Sequence, residues 1–215
     1  MQEIKKLYEI QHEETLANIL DSAQRVLIDN GFYKTTMATI AKEAHISRQR
    51  LYLYFNSLDS IIFNIQIRNL RVFVDFVKKE LDHEASNSTD KLDHLINSIL
   101  RYSDRHRPEF LFTNEFDSFY RNKALTKKMK EEYKSVYCDS LMLAKAILII
   151  EDGKRNKEFR QDIDSQRAIP FWLNLTQVFG ERLAIFATNG EKHCKEELGC
   201  LKEQFREAVY RYFKA

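Results

Sequence analysis

The sequence predicts an all-α protein on three observations: glycine and proline are scarce, apolar residues recur at helical spacing along most of the chain, and capping residues stand at the breaks. Only 5 glycines and 2 prolines occur in 215 residues, too few for the tight turns of a sheet-rich fold and apt for long helices. Hydrophobic residues make up 44% and aromatic residues 12%, enough to bury a substantial core. The length allows one large helical domain or a small module joined to a larger one.

Taken in order, Ile19, Leu20, Ala23, Val26 and Leu27 form an apolar stripe that stops at Asn30-Gly31, where glycine suits a left-handed helix end. Thr35-Thr36 offers a capping hydroxyl for a short second helix over 37–44 bearing Met37, Ile40, Ala41 and Ala44. Ser47 caps a third short helix, from Arg48 to about Phe55, and Asn56-Ser57 caps a long fourth helix reaching about residue 83. The polar string from Glu84 to Asp90 reads as a connection. Beyond it, Leu92, Leu95, Ile96, Ile99 and Leu100 make a stripe ending near Arg107-Pro108, with Pro108 in the first turn of the next helix. That helix is strongly aromatic. The spacing then predicts one helix from about Leu125 to Ile150, ended at Asp152-Gly153, and two final helices over 165–189 and 191–213 separated by Asn189-Gly190. Pro170 is expected to kink or restart the first of these two and to leave a carbonyl unpaired.

Lys and Arg number 34 against 32 Asp and Glu, so any nucleic-acid surface must be local rather than spread over the molecule. Three cysteines are too few for a disulfide framework and fit a reducing compartment. Met1 to Glu14 lacks the apolar core of a signal peptide, and no apolar run is long enough to span a bilayer. A cytoplasmic protein without membrane contact is expected. No HExxH, phosphate-loop or GxSxG motif occurs, so neither an enzyme nor a cofactor is expected. His106 near Asp104, and His193-Cys194 before Cys200, do not match a closed zinc site, and no metal is expected.

The stretch from Gly31 to Phe55 has the order short helix, tight connection, short helix, which is the grammar of a helix-turn-helix. Lys34, Lys42, Arg48 and Arg50 stand there against Glu43 alone, a local positive patch in a nearly balanced chain. On the third helix Leu51 and Phe55 face inward, and Arg48, Gln49, Tyr52 and Tyr54 populate other faces. Arginine pairs with guanine and glutamine with adenine in the major groove, each at about 1–3 kcal/mol of base discrimination. Tyrosine hydroxyls and the Thr36 hydroxyl suit phosphate oxygens. By composition alone, a helical hairpin with a solvated basic face remains an equal alternative.

The detailed spacing Ile19-x3-Ala23, Leu27, Gly31, Thr35-Thr36-Met37-x2-Ile40-Ala41, Ala44, Ile46-Ser47, Leu51-Tyr52-x-Tyr54-Phe55 and Ser57-x-Asp59 closely resembles the N-terminal signature of the tetracycline-repressor (TetR) family. The resemblance implies an N-terminal three-helix helix-turn-helix domain over 1–56, with 1–14 as an extension, and a C-terminal helical effector-binding and dimerisation domain over 57–215. It implies a homodimer on a near-palindromic double-stranded DNA operator. It places Arg48, Gln49 and Arg50 at the base-facing start of the recognition helix, and Thr36, Tyr52 and Tyr54 on phosphates. Two positions depart from the family pattern: His45 stands where glycine is usual in the turn, and Leu58 where a phosphate-reaching lysine is common.

Past residue 84 the resemblance fades. Leu198, Leu201, Phe205 and Tyr212 have the seam spacing of a helix packed on another, and Gly180, Ala184 and Ala187 put small residues on one side of the helix before it. These seven are the candidate dimer interface, the alternative being that both stripes face the chain's own core. Phe112, Phe116, Tyr120, Tyr133, Tyr137, Trp172 and Gln177 are candidate lining for a small organic effector, against the alternative of ordinary aromatic core. The function implied is a ligand-responsive transcriptional repressor. A DNA-bound interaction factor of the same fold, acting in nucleoid organisation or cell division, and a small-molecule carrier or enzyme stand as alternatives.

Overall fold

Ten helices make up the described residues of the computed structural model, which are 2–121, 123–138, 140–188 and 194–214. They are α1 (Gln2–Asn30), α2 (Met37–Glu43), α3 (Arg48–Tyr54), α4 (Leu58–Leu81), α5 (Ser88–Arg105), α6 (Arg107–Tyr120), α7 (Lys127–Tyr137), α8 (Ser140–Arg155), α9 (Ser165–Thr188) and α10 (Cys194–Phe213). The β-pairing among these residues is one isolated bridge, Phe159 with Lys214. No helix among them is long and apolar enough to cross a membrane.

The chain divides into two compact units, 1–69 with 112–130, and 70–111 with 131–215. This grouping differs from the division at 56/57 that the sequence suggested, because the start of α4 and the end of α6 join the first unit. The first unit is built on α1 to α3. Ile19, Ala23 and Leu27 of α1, Ile40 of α2 and Leu51 of α3 are fully buried, as are Ile61, Ile62 and Ile65 on the first half of α4. Phe112 closes this core: its ring lies 5.0 Å from that of Phe32, which also meets Phe119 at 5.5 Å. Thr113 Oγ1 donates to the buried Gln66 Oε1 at 3.2 Å, so the amide carbonyl of a core glutamine is satisfied. Arg68 of α4 reaches back to α1, donating to Asp21 at 2.7 Å and to Gln24 at 3.0 Å.

In the second unit α5, α8, α9 and α10 pack on one another, and Leu70, Val74, Val77 and Leu81 of α4 join their core. The helix expected over 125–150 is two helices, α7 and α8, with α7 ending at Tyr137. The expected stop at Gly153 is displaced as well. Gly153 lies inside α8, where a Cβ would sit 2.1 Å from the ring of Phe159. Its missing side chain serves packing. Termination falls to Lys157, which takes φ 60, while the N–H of Glu158 donates to the Gly153 carbonyl at 2.8 Å and that of Lys157 to Lys154 at 3.0 Å. Those are the paired bonds of a Schellman end, built without glycine at its left-handed position. α9 continues through Pro170. The Asn189-Gly190 break and His193 lie outside the described residues.

The N-terminus of α5 is closed from a distance. Glu158 accepts from Thr89 N at 2.8 Å, Thr89 Oγ1 at 2.9 Å and Ser88 N at 3.3 Å, where helix N–H groups lack partners. Burial raises the pKa of this carboxyl, but those bonds and one from Asn156 outweigh it and hold the group below the usual carboxylate range. A depressed folded-state pKa means that the stabilisation is complete above the unfolded-state value and is lost as pH falls through the folded one. Glu158→Gln is therefore expected to lower unfolding free energy by about 1 kcal/mol at neutral pH. The deficit should shrink towards zero in acid, as read by denaturant unfolding of both proteins across a pH series.

Candidate nucleic-acid interface

Two caps and one turn set the orientation of α2 and α3. Thr36 Oγ1 accepts from Thr39 N at 3.2 Å while Thr36 N donates to Thr39 Oγ1 at 3.0 Å, a reciprocal box at the head of α2. Ser47 Oγ accepts from Arg50 N at 3.1 Å at the head of α3. Between them His45 takes φ 54, with Ile46 N donating to Ala41 O at 3.0 Å and His45 N to Lys42 O at 3.2 Å. This is a second Schellman end with a non-glycine residue in the left-handed position, a conformation histidine tolerates better than most. Asn18 Nδ2 of α1 donates to Ala44 O at 2.9 Å and ties the same turn to the first helix.

With Leu51 at 0% and Phe55 at 5% exposure, α3 is held by its inner stripe. Arg48, Gln49, Arg50 and Tyr52 are exposed on its other faces, and Thr36 is exposed beside α2. Tyr54 is half-buried, its ring stacked on His12 at 4.7 Å. The Arg50 guanidinium donates to Thr15 Oγ1 at 3.3 Å, and that hydroxyl donates to Gln11 O at 2.8 Å. Thus residues 2–14 of the N-terminal extension are the start of α1, and α1 supplies His12 of the extension and the adjoining Thr15 to the flank of α3. No apolar period announces it, which is why sequence reasoning passed over both residues. Leu53 was also missed. It is 84% exposed on α3, two residues from the Leu51–Phe55 stripe, and offers an apolar surface of the kind that meets thymine methyl groups.

A family model described as "Bacterial regulatory proteins, tetR family" matches residues 19–64, the span from the first apolar stripe of α1 through the beginning of α4. Residues 19–64 thus carry the N-terminal pattern of the tetR family. Two curated relatives are HbdR, an HTH-type transcriptional regulator of Aromatoleum sp. (strain CIB), 28% identical over 90 residues, and TtgR, an HTH-type transcriptional regulator of Pseudomonas putida, 31% identical over 85 residues. These matches cover 42% and 39% of this chain and 38% and 37% of the relatives, so the chain matches well under half the length of each. A bacterial regulatory protein in the tetR family from Rhodococcus RHA1 shares the fold at a TM-score of 0.70 and 15% identity, covering 94% of this chain and 97% of that one.

The tetR-family pattern accounts for less of the remaining candidates. Phe112 and Phe116, at 0% and 2% exposure, are core of the first unit, and Tyr120 donates to Asp59 at 3.4 Å in the same unit. These three belong to the first unit, whereas Tyr133, Tyr137, Trp172 and Gln177 belong to the second. Tyr137 and Gln177 line a small apolar cavity of about 40 Å³ with Phe73, Met142 and Pro170 among its walls. Tyr133 packs on the core beside Tyr137, and Trp172 sits in an aromatic cluster with Phe205 and Tyr212.

The candidate dimer residues are mostly occupied inside the chain. A Cβ on Gly180 would lie 2.8 Å from Phe110 and 3.1 Å from Ser103, so this glycine admits the chain's own α5 and α6. Ala184 is buried in the same cluster. Leu198, Phe205 and Tyr212 are partly buried against the second unit's core, Phe205 stacking on Phe179 at 4.5 Å. Leu201 is exposed, and the side chain of Ala187 lies outside the described residues. Asp104 and His106 are engaged by Lys202 and Glu109.

The left-handed turn gives a direct test of the helix-turn-helix geometry. His45→Gly is expected to be neutral or to stabilise by up to about 1 kcal/mol, because glycine adopts positive φ without penalty but loses more chain entropy on folding. His45→Val should destabilise by about 1–2 kcal/mol, since a β-branched residue is strained there. Chemical denaturation followed by circular dichroism measures both.

Proposed function

We propose that this protein is a ligand-responsive DNA-binding transcriptional regulator, a homodimer that holds a near-palindromic operator and gives it up when a small organic effector binds. The observation that carries this reading is the division of α3 into a buried stripe, Leu51 and Phe55, and an exposed set, Arg48, Gln49, Arg50 and Tyr52. In this reading Arg48, Gln49 and Arg50 face base edges, and Thr36, Tyr52 and Tyr54 face phosphates. Leu58, in place of a lysine, reduces the salt-dependent part of affinity and leaves base readout alone. Residues 1–56 carry the DNA-binding role and 57–215 the effector and dimerisation roles, in a cytoplasmic protein.

The apolar cavity beside Tyr137 is the proposed effector seat. Gln177 Nε2 donates to Glu181 at 3.3 Å, while its buried Oε1 has no donor among the described residues, leaving one acceptor in apolar surroundings. That favours a largely apolar effector with a single hydroxyl or N–H group. At about 40 Å³ the cavity must open to receive it. An effector releases DNA only if it binds the opened state more tightly than the operator-bound one. For the dimer, Phe171 and Val178 of α9 and Leu201 of α10 are exposed apolar residues, and they support an interface on these two helices.

Selection of bound duplexes from a random pool is expected to return an inverted repeat whose half-sites lie about 34–36 Å apart. On that duplex Arg50→Ala should relax preference at particular base pairs, at about 1–3 kcal/mol, and Tyr52→Phe should weaken binding evenly across sequences. A pool that returns no preferred sequence overturns the proposal. Val178→Lys is expected to shift the protein from dimer to monomer in sedimentation analysis and to weaken binding to the full repeat more than to a single half-site.

A further inference from the structure

The second unit contains a cleft of about 340 Å³ between α4 and α5 whose lining differs in chemistry from that of the apolar cavity. Its α5 wall is one helix face, Ser98, Arg101, Tyr102 and Arg105, continued by His106 at the C-cap, and Phe76 and Glu80 of α4 stand opposite. We propose that this cleft binds a small aromatic carboxylate, its carboxylate on Arg101, Arg105 and the Tyr102 hydroxyl and its ring against Phe76.

Charge is the first support. Glu80 is engaged by His94 at 2.8 Å, and His106 faces Glu109 at 3.7 Å. Arg101 donates to the neutral Ser98 Oγ at 2.8 Å, and neither it nor Arg105 has a carboxylate partner among the described residues. Two guanidiniums thus stand four residues apart on one helix face, an arrangement that repels itself unless an anion lies between them. Cations near a helix C-terminus also answer its dipole, so charge alone does not make a site.

The second support is a buried donor. Tyr102 is 5% exposed, lines the cleft, and its hydroxyl has no hydrogen-bond partner among the described residues. Burial, and then the negative charge of Glu109, raise its pKa above the ordinary phenol value, so it remains an O–H donor at neutral pH. A buried donor without an acceptor is unfavourable in an empty site and is satisfied by a bound carboxylate.

The third support is the aromatic wall, which selects a ring-bearing anion over inorganic phosphate. Phe76 and Tyr102 lie 4.5 Å apart, and Tyr102 stacks on His106 at 3.8 Å. A flat ring against Phe76 extends this stack while its carboxylate meets a guanidinium fork. The volume is at the low end for ligand sites and fits a single-ring compound.

The proposal is tested by titration calorimetry on the full chain with benzoate, benzyl alcohol, acetate and inorganic phosphate, none of which involves DNA, so it stands or fails apart from the regulator reading. Benzoate is expected to bind, with benzyl alcohol, acetate and phosphate each weaker by about tenfold or more. Exposed Arg105→Gln should weaken benzoate by about tenfold without moving the unfolding midpoint of the free chain, and Arg105→Lys should restore part of the loss. Tyr102→Phe should weaken benzoate several-fold, on the order of the loss of one charged hydrogen bond. Benzyl alcohol matching benzoate, acetate or phosphate matching it, or undiminished benzoate binding by both Arg105→Gln and Tyr102→Phe would each overturn the assignment.

Discussion

Burial of Leu51 is the constraint on which the exposed face of α3 rests. A seven-residue helix is far below the length at which helices persist alone in water, so α3 exists because its inner stripe is buried. Full burial of one leucine is worth about 2–3 kcal/mol, and Phe55 adds a second anchor one turn on. Once these are in place, the remaining faces of α3 have no core to enter. Their arginines, glutamine and tyrosine are left exposed by the geometry of a short helix.

The direction of α3 is a separate matter, decided in the turn before it. The left-handed His45, the carbonyls of Ala41 and Lys42, and the Ser47 cap leave the chain little freedom between Ala44 and Arg48. Asn18 fastens the turn to α1 through the Ala44 carbonyl. The same helix, extended towards its N-terminus, then brings His12 and Thr15 against Tyr54 and Arg50. Tyr54 and Arg50 of α3 are therefore held by intrachain contacts, which would lower the entropy lost on binding in the DNA-binding role proposed for this helix.

In the second unit, small residues act where large ones must approach. Gly153 admits Phe159, Gly180 admits Phe110, and Ala184 shares the cluster with Phe110 and Tyr102. Around that packing, α10 is fastened to α5 by Arg206 on Asp93 at 2.9 Å and Lys202 on Asp104 at 2.6 Å. Partly exposed pairs of this kind contribute about 0–1 kcal/mol each, so they set register more than stability. The apolar core beneath them supplies the stability.

The sequence by itself determined the helical class, the caps at Thr36, Ser47 and Ser57, the left-handed Gly31, and the inward-facing pair on α3. Each depends on residues within a few positions of one another, where backbone geometry leaves few choices. Tertiary structure alone decided the rest. Phe112 and Phe116 have the same helical spacing whether they line a cavity or fill a core, and their burial in the first unit makes them core. Gly180 and Ala184 mark a close approach but do not say to which helix, and Phe110 of the same chain is the answer. Gly153 reads as a helix stop until Phe159, six residues on, is seen to need its space. Periodicity reports which face of a helix is buried, and only the folded chain specifies what that face is buried against.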